Sequence, residues 1–484
     1  MLLHLILLSA LTGVHLPAGQ VERPNVIVLI SDDQAVGTMG FEGHAFSQTP
    51  ALDRLATEGA SFSRAFVTTS LCSPSRASYL TGRYARTHGV LVNRARFPAD
   101  LPTFASVMTE GGYDSAYVGK WHMGDEAGAR PGFGYTASYV GQGNYNSNTF
   151  LVGSASNVEE VERSGWVDEV ATDFALEFLN REREAPFLLV LGFKGPHRPQ
   201  IPGRSDRRLF KDASLIRPAN ADALPPFPLP HEFEELAREA DEEPQDYHLP
   251  AEWSAPSGSR KPSGWPGRRG DDEQRERDYF RVIHGVDRSV GRILQALDNS
   301  AIGDNTLVVF ASDNGMCIGN HGQVGKRNAY EEALRVPLLM RYPRTIQPGL
   351  RVNQMVLNID LAPTLLELVG LKVPQGVQGR SLVPLLAGTD PPKWRDSAVF
   401  EFYLDHLEHV PSFLPTNFCL RTEEWKWIEY PGFPQWTELY NLTEDPLEQR
   451  NRAKDPAARE IAAGLGMQLR RAEQALGPRG TPPD

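Results

Sequence analysis

The sequence predicts an α/β fold: a large, mostly parallel sheet flanked by helices, followed by a smaller C-terminal α+β domain with a short antiparallel sheet. Three observations predict it. Continuous apolar runs recur at 25–30, where β-branched residues dominate, and at 187–193 and 306–310, as expected of strands buried on both faces. Segments with helical apolar spacing lie between them. Towards the C-terminus, Val399-Phe400-Glu401-Phe402 and Trp425-Lys426-Trp427-Ile428 alternate in the manner of antiparallel strands.

The first strand, 25–30, stops at Ser31-Asp32-Asp33. Residues 49–60 read as a helix, with Pro50 in the first turn and Leu52, Leu55 and Ala56 on one face. Cys72-Ser73-Pro74-Ser75-Arg76 reads as another helix start, because proline is best tolerated in a first turn. Arg76, four residues after Cys72, returns to the same face. Helix starts present free N–H groups and positive dipole, which favour an oxyanion. A nucleophile there, beside an arginine, suggests chemistry on a sulfate or phosphate ester. Taken alone, the same residues are better read as a buried thiol beside a helix-starting proline, and the rest of the chain has to change that balance.

A helix at 102–110 ends at Gly111-Gly112. A strand at 115–118 leads into Gly119-Lys120-Trp121-His122, and the strand 187–193 runs into Lys194-Gly195-Pro196-His197. Prolines, charges and Gly-Arg runs dominate 201–271, which reads as a long surface excursion, either disordered or a lid over a site. Helical spacing returns at Tyr279, Val282, Ile283, Val286, Val290, Ile293, Leu294 and Leu297. The strand 306–310 ends in Ala311-Ser312-Asp313-Asn314-Gly315, and 336–340 is a shorter strand. Residues 361–369 form a helix with Asp360 as N-cap and Gly370 as its stop. A C-terminal helix spans 457–475, and no internal repeat is evident.

With 484 residues the chain can bury a large core in two domains, placed at 22–388 and 389–484. Its 40% hydrophobic and 23% charged residues describe an ordinary soluble globular protein. A net charge of −12 argues against non-specific nucleic-acid binding and against a polybasic membrane surface. Three cysteines are too few for a disulfide framework, and Cys317 and Cys419 are left to pair or stay free. Residues 1–19 read as a signal peptide: the apolar run around Leu5-Ile6-Leu7-Leu8 precedes Pro17-Ala18-Gly19 and is too short to span a bilayer. The mature protein is therefore expected to be periplasmic or secreted, without stable membrane insertion.

In open α/β sheets, site residues collect beyond the carboxyl ends of the strands. Asp32-Asp33, Lys120, His122, His197 and Asp313-Asn314 all follow expected strands directly. One acidic doublet alone reads as a helix or turn cap. Two in matching positions read as a cation site, because packed like charges resist ionising without one. Asp32, Asp33, Asp313 and the Asn314 amide offer four hard oxygen donors, which suits Ca²⁺ or Mg²⁺.

The ordered set of motifs resembles the type I sulfatases of the alkaline-phosphatase-like superfamily, including carbohydrate sulfatases such as N-acetylglucosamine-6-sulfatase. The resemblance rests on Asp32-Asp33, Cys72-Ser73-Pro74-Ser75-Arg76 with Thr81-Gly82-Arg83, Gly119-Lys120-Trp121-His122, Gly195-Pro196-His197, Asp313-Asn314-Gly315 and Gly325-Lys326. The tail Glu438-Leu439-Tyr440-Asn441 with Asp445-Pro446-Leu447-Glu448 belongs to it as well. It implies an alkaline-phosphatase-like sandwich and oxidation of Cys72 to formylglycine by a formylglycine-generating or anaerobic sulfatase-maturating enzyme. One hydroxyl of the hydrated aldehyde would attack sulfur, and the other would expel sulfate without attack by water on sulfur. One Ca²⁺ would be held by Asp32, Asp33, Asp313 and Asn314, with the modified residue 72 completing its shell. Arg76 would orient the hydrate, Lys120 and Lys326 neutralise sulfate oxygens, His122 assist proton transfer at the hydrate, and His197 protonate the departing alcohol.

A phosphate or phosphonate monoester hydrolase of the same superfamily is the rival reading, and a catalytically inactive sugar-binding relative is another. The residues around Cys72 and His122 look most like carbohydrate sulfatases, so the expected substrate is a sulfated glycan, such as a glycosaminoglycan or algal polysaccharide. Trp253, Asp405, His406 and His409 are candidate sugar contacts, equally readable as surface residues. His321 is expected to be structural and His284 a packing residue. Asn441-Leu442-Thr443, formally a glycosylation sequon, is better read as a turn.

Overall fold

The computed structural model describes residues 22–124, 128–240, 270–389, 391, 393–404 and 414–481. The expected signal peptide, Trp253, Asp405, His406 and His409 lie outside the described residues. A ten-stranded sheet organises the fold, in the order Leu350–Val352, Ala60–Phe62, Leu338–Arg341, Thr306–Ser312, Asn25–Ser31, Phe187–Gly192, Asp114–Lys120, Tyr135–Tyr139, Ser147–Ser154 and Asn157–Ser164. The strand Asn25–Ser31 is wholly buried because parallel neighbours flank it, with Val28 facing Val190 on one side and Val309 on the other. Its Val26, Val28 and Ile30 belong to one core layer and its Ile27 and Leu29 to the opposite layer, following the two-residue alternation of a strand. Asp114–Lys120 and then Tyr135–Tyr139 continue the parallel run, while Leu338–Arg341 pairs antiparallel on both sides.

Five adjacent parallel strands, from Thr306–Ser312 to Tyr135–Tyr139, thus point their carboxyl ends in one direction. Register does the rest. Ser31 faces Ser312, so Asp32 and Asp313 emerge side by side, and Gly119 faces Gly192 one residue before Lys120. Gly119 has φ +81°, and a Cβ there would lie 2.1 Å from Gly192 O, so this close approach needs glycine.

The helix expected at 49–60 spans Pro50–Glu58, and that at 102–110 spans Phe104–Glu110. A capping box starts the second: Thr103 Oγ1 accepts from Ser106 N, and Ser106 Oγ accepts from Thr103 N. The long helix begins at Gly270, ahead of its apolar stripe, and runs to Asp298. Asp360 departs from expectation. Its carboxylate does not cap the Leu361–Leu368 helix but accepts from Leu357 N, Arg380 N and the Arg395 guanidinium.

The hairpin Ser147–Ser154/Asn157–Ser164 and the helix Val167–Leu179 are additions to the sequence reading. Asn157–Ser164 carries exposed Glu159, Glu160, Glu162 and Arg163 at the sheet's edge, a charged rim that disfavours pairing with another chain. Within the excursion, Pro230–Glu239 is helical.

Four antiparallel strands, Ser397–Phe402, Asn417–Thr422, Trp425–Glu429 and Glu438–Asn441, form the C-terminal sheet in chain order. The helix Arg459–Leu476 packs on it. Phe400, Phe418 and Ile428 share one core with Val28 and with Ala77 and Leu80 of the Cys72 helix, so the apolar interior is continuous between the two sheets. Arg86, with its side chain 1% exposed, adds a polar tie: Nε donates to Glu401 Oε2 at 2.5 Å and Nη2 to Glu473 Oε1 at 3.1 Å. Cys72, Cys317 and Cys419 are free and buried. Asn441 Oδ1 accepts from Thr443 N and Glu444 N, the turn expected at the sequon.

Candidate active site

The helix Cys72–Thr81 starts at Cys72, has Pro74 in its first turn and ends at Gly82, whose φ is +67°. It lies against the carboxyl edge of the sheet. Asp32, Asp33, Cys72 and Asp313 each present one ligand atom there, and these four atoms all lie within 4.8 Å of one another. Cys72 Sγ is 3.4 Å from Asp32 Oδ1. Asp33 N donates to Asp313 Oδ1 at 3.1 Å, and the Asn314 amide donates to Asp33 Oδ1 at 2.8 Å.

Cations ring the carboxylates. Lys120 Nζ pairs with Asp32, and Lys326 Nζ with Asp33 and, at 2.7 Å, with Cys72 Sγ. Arg76 donates through Nε to Asp313 Oδ2 at 2.8 Å and through Nη1 to Lys120 O at 2.9 Å. His197 Nε2 is 3.9 Å from Asp33 Oδ2, while its Nδ1 lies 2.6 Å from Arg198 O. His122 meets Ser73 Oγ through both its carbonyl and its ring, with Nδ1 at 3.4 Å. Every residue expected at the site is therefore brought to one end of the sheet.

Electrostatics follow from burial and pairing. Burial opposes the charge of Asp32, yet Lys120, with His197, Arg76 and Lys326 behind it, holds this carboxyl well below its ordinary range. Burial likewise opposes Asp33, which Lys326 and His197 lower on balance. Asp313 goes the other way: burial and then Asp32 push it up to about 7 against Arg76. Burial pushes the Cys72 thiol far up, so it is not a ready thiolate. Burial and Lys120 hold His122 low, and burial brings His197 down to about 4.

Asp33, His122 and Arg327 have positive φ without being glycine (68°, 53° and 84°), local strain of the kind concentrated at working sites. Tyr279 bridges the Asp33 bend, donating to Asp33 O at 2.8 Å and accepting from Ala35 N at 2.9 Å.

Two polar atoms bear on what the cluster can hold. Asn314 Oδ1 and Arg76 Nη2 are buried and have no hydrogen-bond partner among the described residues. An orphan amide oxygen beside three carboxylates fits a hard divalent cation, and an orphan guanidinium N–H fits an oxygen substituent at residue 72. Gln142, Lys194 and Asp168 also sit at the site and were not foreseen. Gln142 Oε1 accepts from Lys120 Nζ at 2.5 Å. Lys194 donates to Gln142 O at 3.0 Å, with burial and then Lys120 bringing it down to about 8. Asp168 binds the turn before His197.

His321 lies outside the cluster, with its ring stacked on Tyr330 at 3.8 Å and Nδ1 against Ala223 O, as a structural residue. His284 packs with Nδ1 3.0 Å from Gln48 O.

Comparisons with known proteins show what the chain as a whole is similar to. Residues 24–371 match the Sulfatase family, and residues 319–475 match the family described as N-sulphoglucosamine sulphohydrolase, C-terminal. The N-acetylglucosamine-6-O-sulfatase of Bacteroides thetaiotaomicron is 30% identical over 497 residues, covering 93% of this chain and 86% of that protein. A solved structure of a protein in complex with its substrate D-glucosamine-2-N,6-O-disulfate superposes with a TM-score of 0.79 at 28% identity, covering 94% of this chain and 98% of that one. The phosphonate monoester hydrolase of Agrobacterium radiobacter superposes with a TM-score of 0.73 at 25% identity, covering 94% and 96%.

Proposed function

The chain belongs to the sulfatase family and is a sulfuric ester hydrolase with the alkaline-phosphatase-like fold; from that premise we propose that it desulfates a carbohydrate, using formylglycine made from Cys72 and a Ca²⁺ ion. The observation carrying this reading is the group of four ligand atoms within 4.8 Å, ringed by Arg76, Lys120 and Lys326. The relative named N-acetylglucosamine-6-O-sulfatase and the neighbour bound to a glucosamine disulfate support a sulfated sugar as substrate.

Asp32, Asp33, Asp313 and Asn314 would hold the ion, which would lower the pKa of a hydroxyl on residue 72 and draw charge from the sulfuryl oxygens. Formylglycine supplies, as its hydrate, one hydroxyl to take the sulfuryl group and a second to release it. Arg76 orients the hydrate through the N–H group that lacks a partner. Lys120 and Lys326 turn from Asp32 and Asp33 towards the sulfate oxygens as point charges. His122 assists proton transfer at the hydrate. With Nδ1 engaged by Arg198 O, His197 has Nε2 towards Asp33, and from there it protonates the departing alcohol. Burial disfavours that proton, Asp32 and then Asp33 oppose the effect in part, and an anionic substrate would add to their pull.

A formylglycine-generating or anaerobic sulfatase-maturating enzyme would act on Cys72, and the segment 1–19 supports export to the periplasm or beyond. Among the described residues, no helix is long and apolar enough to cross a membrane. The likeness to a phosphonate monoester hydrolase makes that activity the second reading.

Sulfate release from defined sulfated saccharides, aryl sulfate turnover against aryl phosphonate turnover, and peptide mass across residue 72 test the proposal. The expected results are release from a sulfated sugar, a preference for sulfate, and an aldehyde in place of the thiol. A preference for phosphonate overturns the reaction assigned, and hydrolysis of sulfate esters by a protein with an intact thiol overturns the nucleophile.

A further inference from the structure

The turn Lys194-Gly195-Pro196-His197 is gripped by groups that lie behind the reacting atoms. Asp168, in the first turn of the helix Val167–Leu179, is fully buried. Its Oδ1 accepts from Lys194 N at 2.7 Å and its Oδ2 from Gly195 N at 2.9 Å. A Cβ on residue 195 would come within 2.8 Å of Asp168 Oδ2, so glycine lets the carboxylate close on the backbone. From the other side, the Tyr145 hydroxyl donates to His197 O at 2.6 Å. The Lys194 ammonium lies 5.0 Å from the centroid of the Tyr145 ring. On the inner side Asp32 N donates to Gly195 O at 3.0 Å, which ties the turn to the cluster itself.

A fully buried carboxylate on two backbone N–H groups is a costly way to hold a loop, since burial pushes Asp168 up to about 6. The arrangement makes sense if the turn must not move. Reacting groups lose rate steeply with misplacement of an ångström, and His197 Nε2 is aimed from this turn.

We propose that Asp168 and Tyr145 are positioning residues for protonation of the departing alcohol, fixing the turn that carries His197. The proposal rests on His197 being the general acid. It implies that the clamp matters in proportion to how much the leaving group needs a proton. A sugar alkoxide needs one badly, whereas 4-nitrophenolate leaves readily without one.

The test compares kcat/KM for glucosamine 6-sulfate with kcat/KM for 4-nitrophenyl sulfate, using the mature, metal-loaded protein and its His197→Ala, Asp168→Ala and Tyr145→Phe variants. The ratio should fall about 100-fold in His197→Ala, at least about tenfold in Asp168→Ala and about threefold in Tyr145→Phe. Damage that is merely structural lowers both activities together and leaves the ratio alone. A ratio that falls in His197→Ala but stays at the wild-type value in both clamp variants overturns the proposal while leaving the acid in place. A ratio unchanged in His197→Ala overturns the acid assignment, and the clamp with it. Should Asp168→Ala fail to fold, Tyr145→Phe, which removes a single oxygen atom, decides the matter.

Discussion

Arg76 Nε meets Asp313 Oδ2 at 2.8 Å, with the two side chains 2% and 0% exposed. The contact joins the helix that starts at Cys72 to the carboxylate at the end of the Thr306–Ser312 strand, and the same guanidinium reaches Lys120 O. A lysine can supply the charge but not this fork. Arg76→Lys should therefore lower kcat by about 100-fold or more. It should also lower stability by about 3 kcal/mol, as expected when a buried pair loses its geometry. Steady-state hydrolysis and urea unfolding measure the two effects.

Lys120 and Asp32 are both fully buried and paired with each other. In the presence of a chelator, Lys120→Ala should cost about 3–5 kcal/mol, because it leaves an uncompensated buried charge. Added Ca²⁺ should then raise the melting temperature of the variant more than that of the wild type, since the ion takes over the missing compensation. Equal Ca²⁺ shifts in both proteins would count against Asp32 as a ligand.

Cys72→Ala should abolish sulfate release while leaving a cooperative unfolding transition, since the substitution removes one buried atom near Lys326 Nζ. A hydrazide reagent applied to the unfolded wild-type protein should label residue 72, and the variant should not react. Labelling of the variant at another site would move the aldehyde elsewhere.

Asp287 reaches from the long helix to the start of the Pro50–Glu58 helix, accepting from Leu52 N at 2.8 Å and Ala51 N at 3.3 Å. Thr49 makes no side-chain cap there. Burial pushes the Asp287 carboxyl up to about 6 from an ordinary 3.8. The folded state thus holds this proton more tightly than the unfolded state does. The contribution is fully present below about pH 4 and is lost as pH rises through about 6. The stability difference between wild type and Asp287→Asn should therefore fall by up to roughly 3 kcal/mol over that window and level off above it. Urea unfolding at stepped pH checks this, and a difference that rises with pH contradicts it.

The central strands were legible because burial on both faces writes itself as an unbroken apolar run, as in 25–30 and 306–310. The site was legible for a related reason: Asp32, Lys120, His197 and Asp313 are polar residues placed directly after such runs, where an ordinary sheet has no use for them. The outer hairpin was not. Asn157–Ser164 is exposed on both faces and charged, so neither alternation nor hydrophobicity marks it. Asp168 and Gln142 escaped for another reason. Each acts through a backbone or a neighbouring side chain, Asp168 from a helix and Gln142 from a loop, and nothing in the local sequence separates them from ordinary surface residues. Asp360 misled because its position suits a cap, while Arg395, distant in sequence, claims its carboxylate.

Arg86 has a consequence for how this protein can be recombined. Its guanidinium is sealed in the interior and answered by Glu401 and Glu473, both from the last quarter of the chain. A chimera that exchanged the C-terminal sheet and helix for those of another protein would strand that charge unless the graft brought carboxylates to the same two places. The tail therefore cannot be traded freely as a module, and any inherited change at residue 401 or 473 is felt through Arg86 beside the very helix that begins with Cys72.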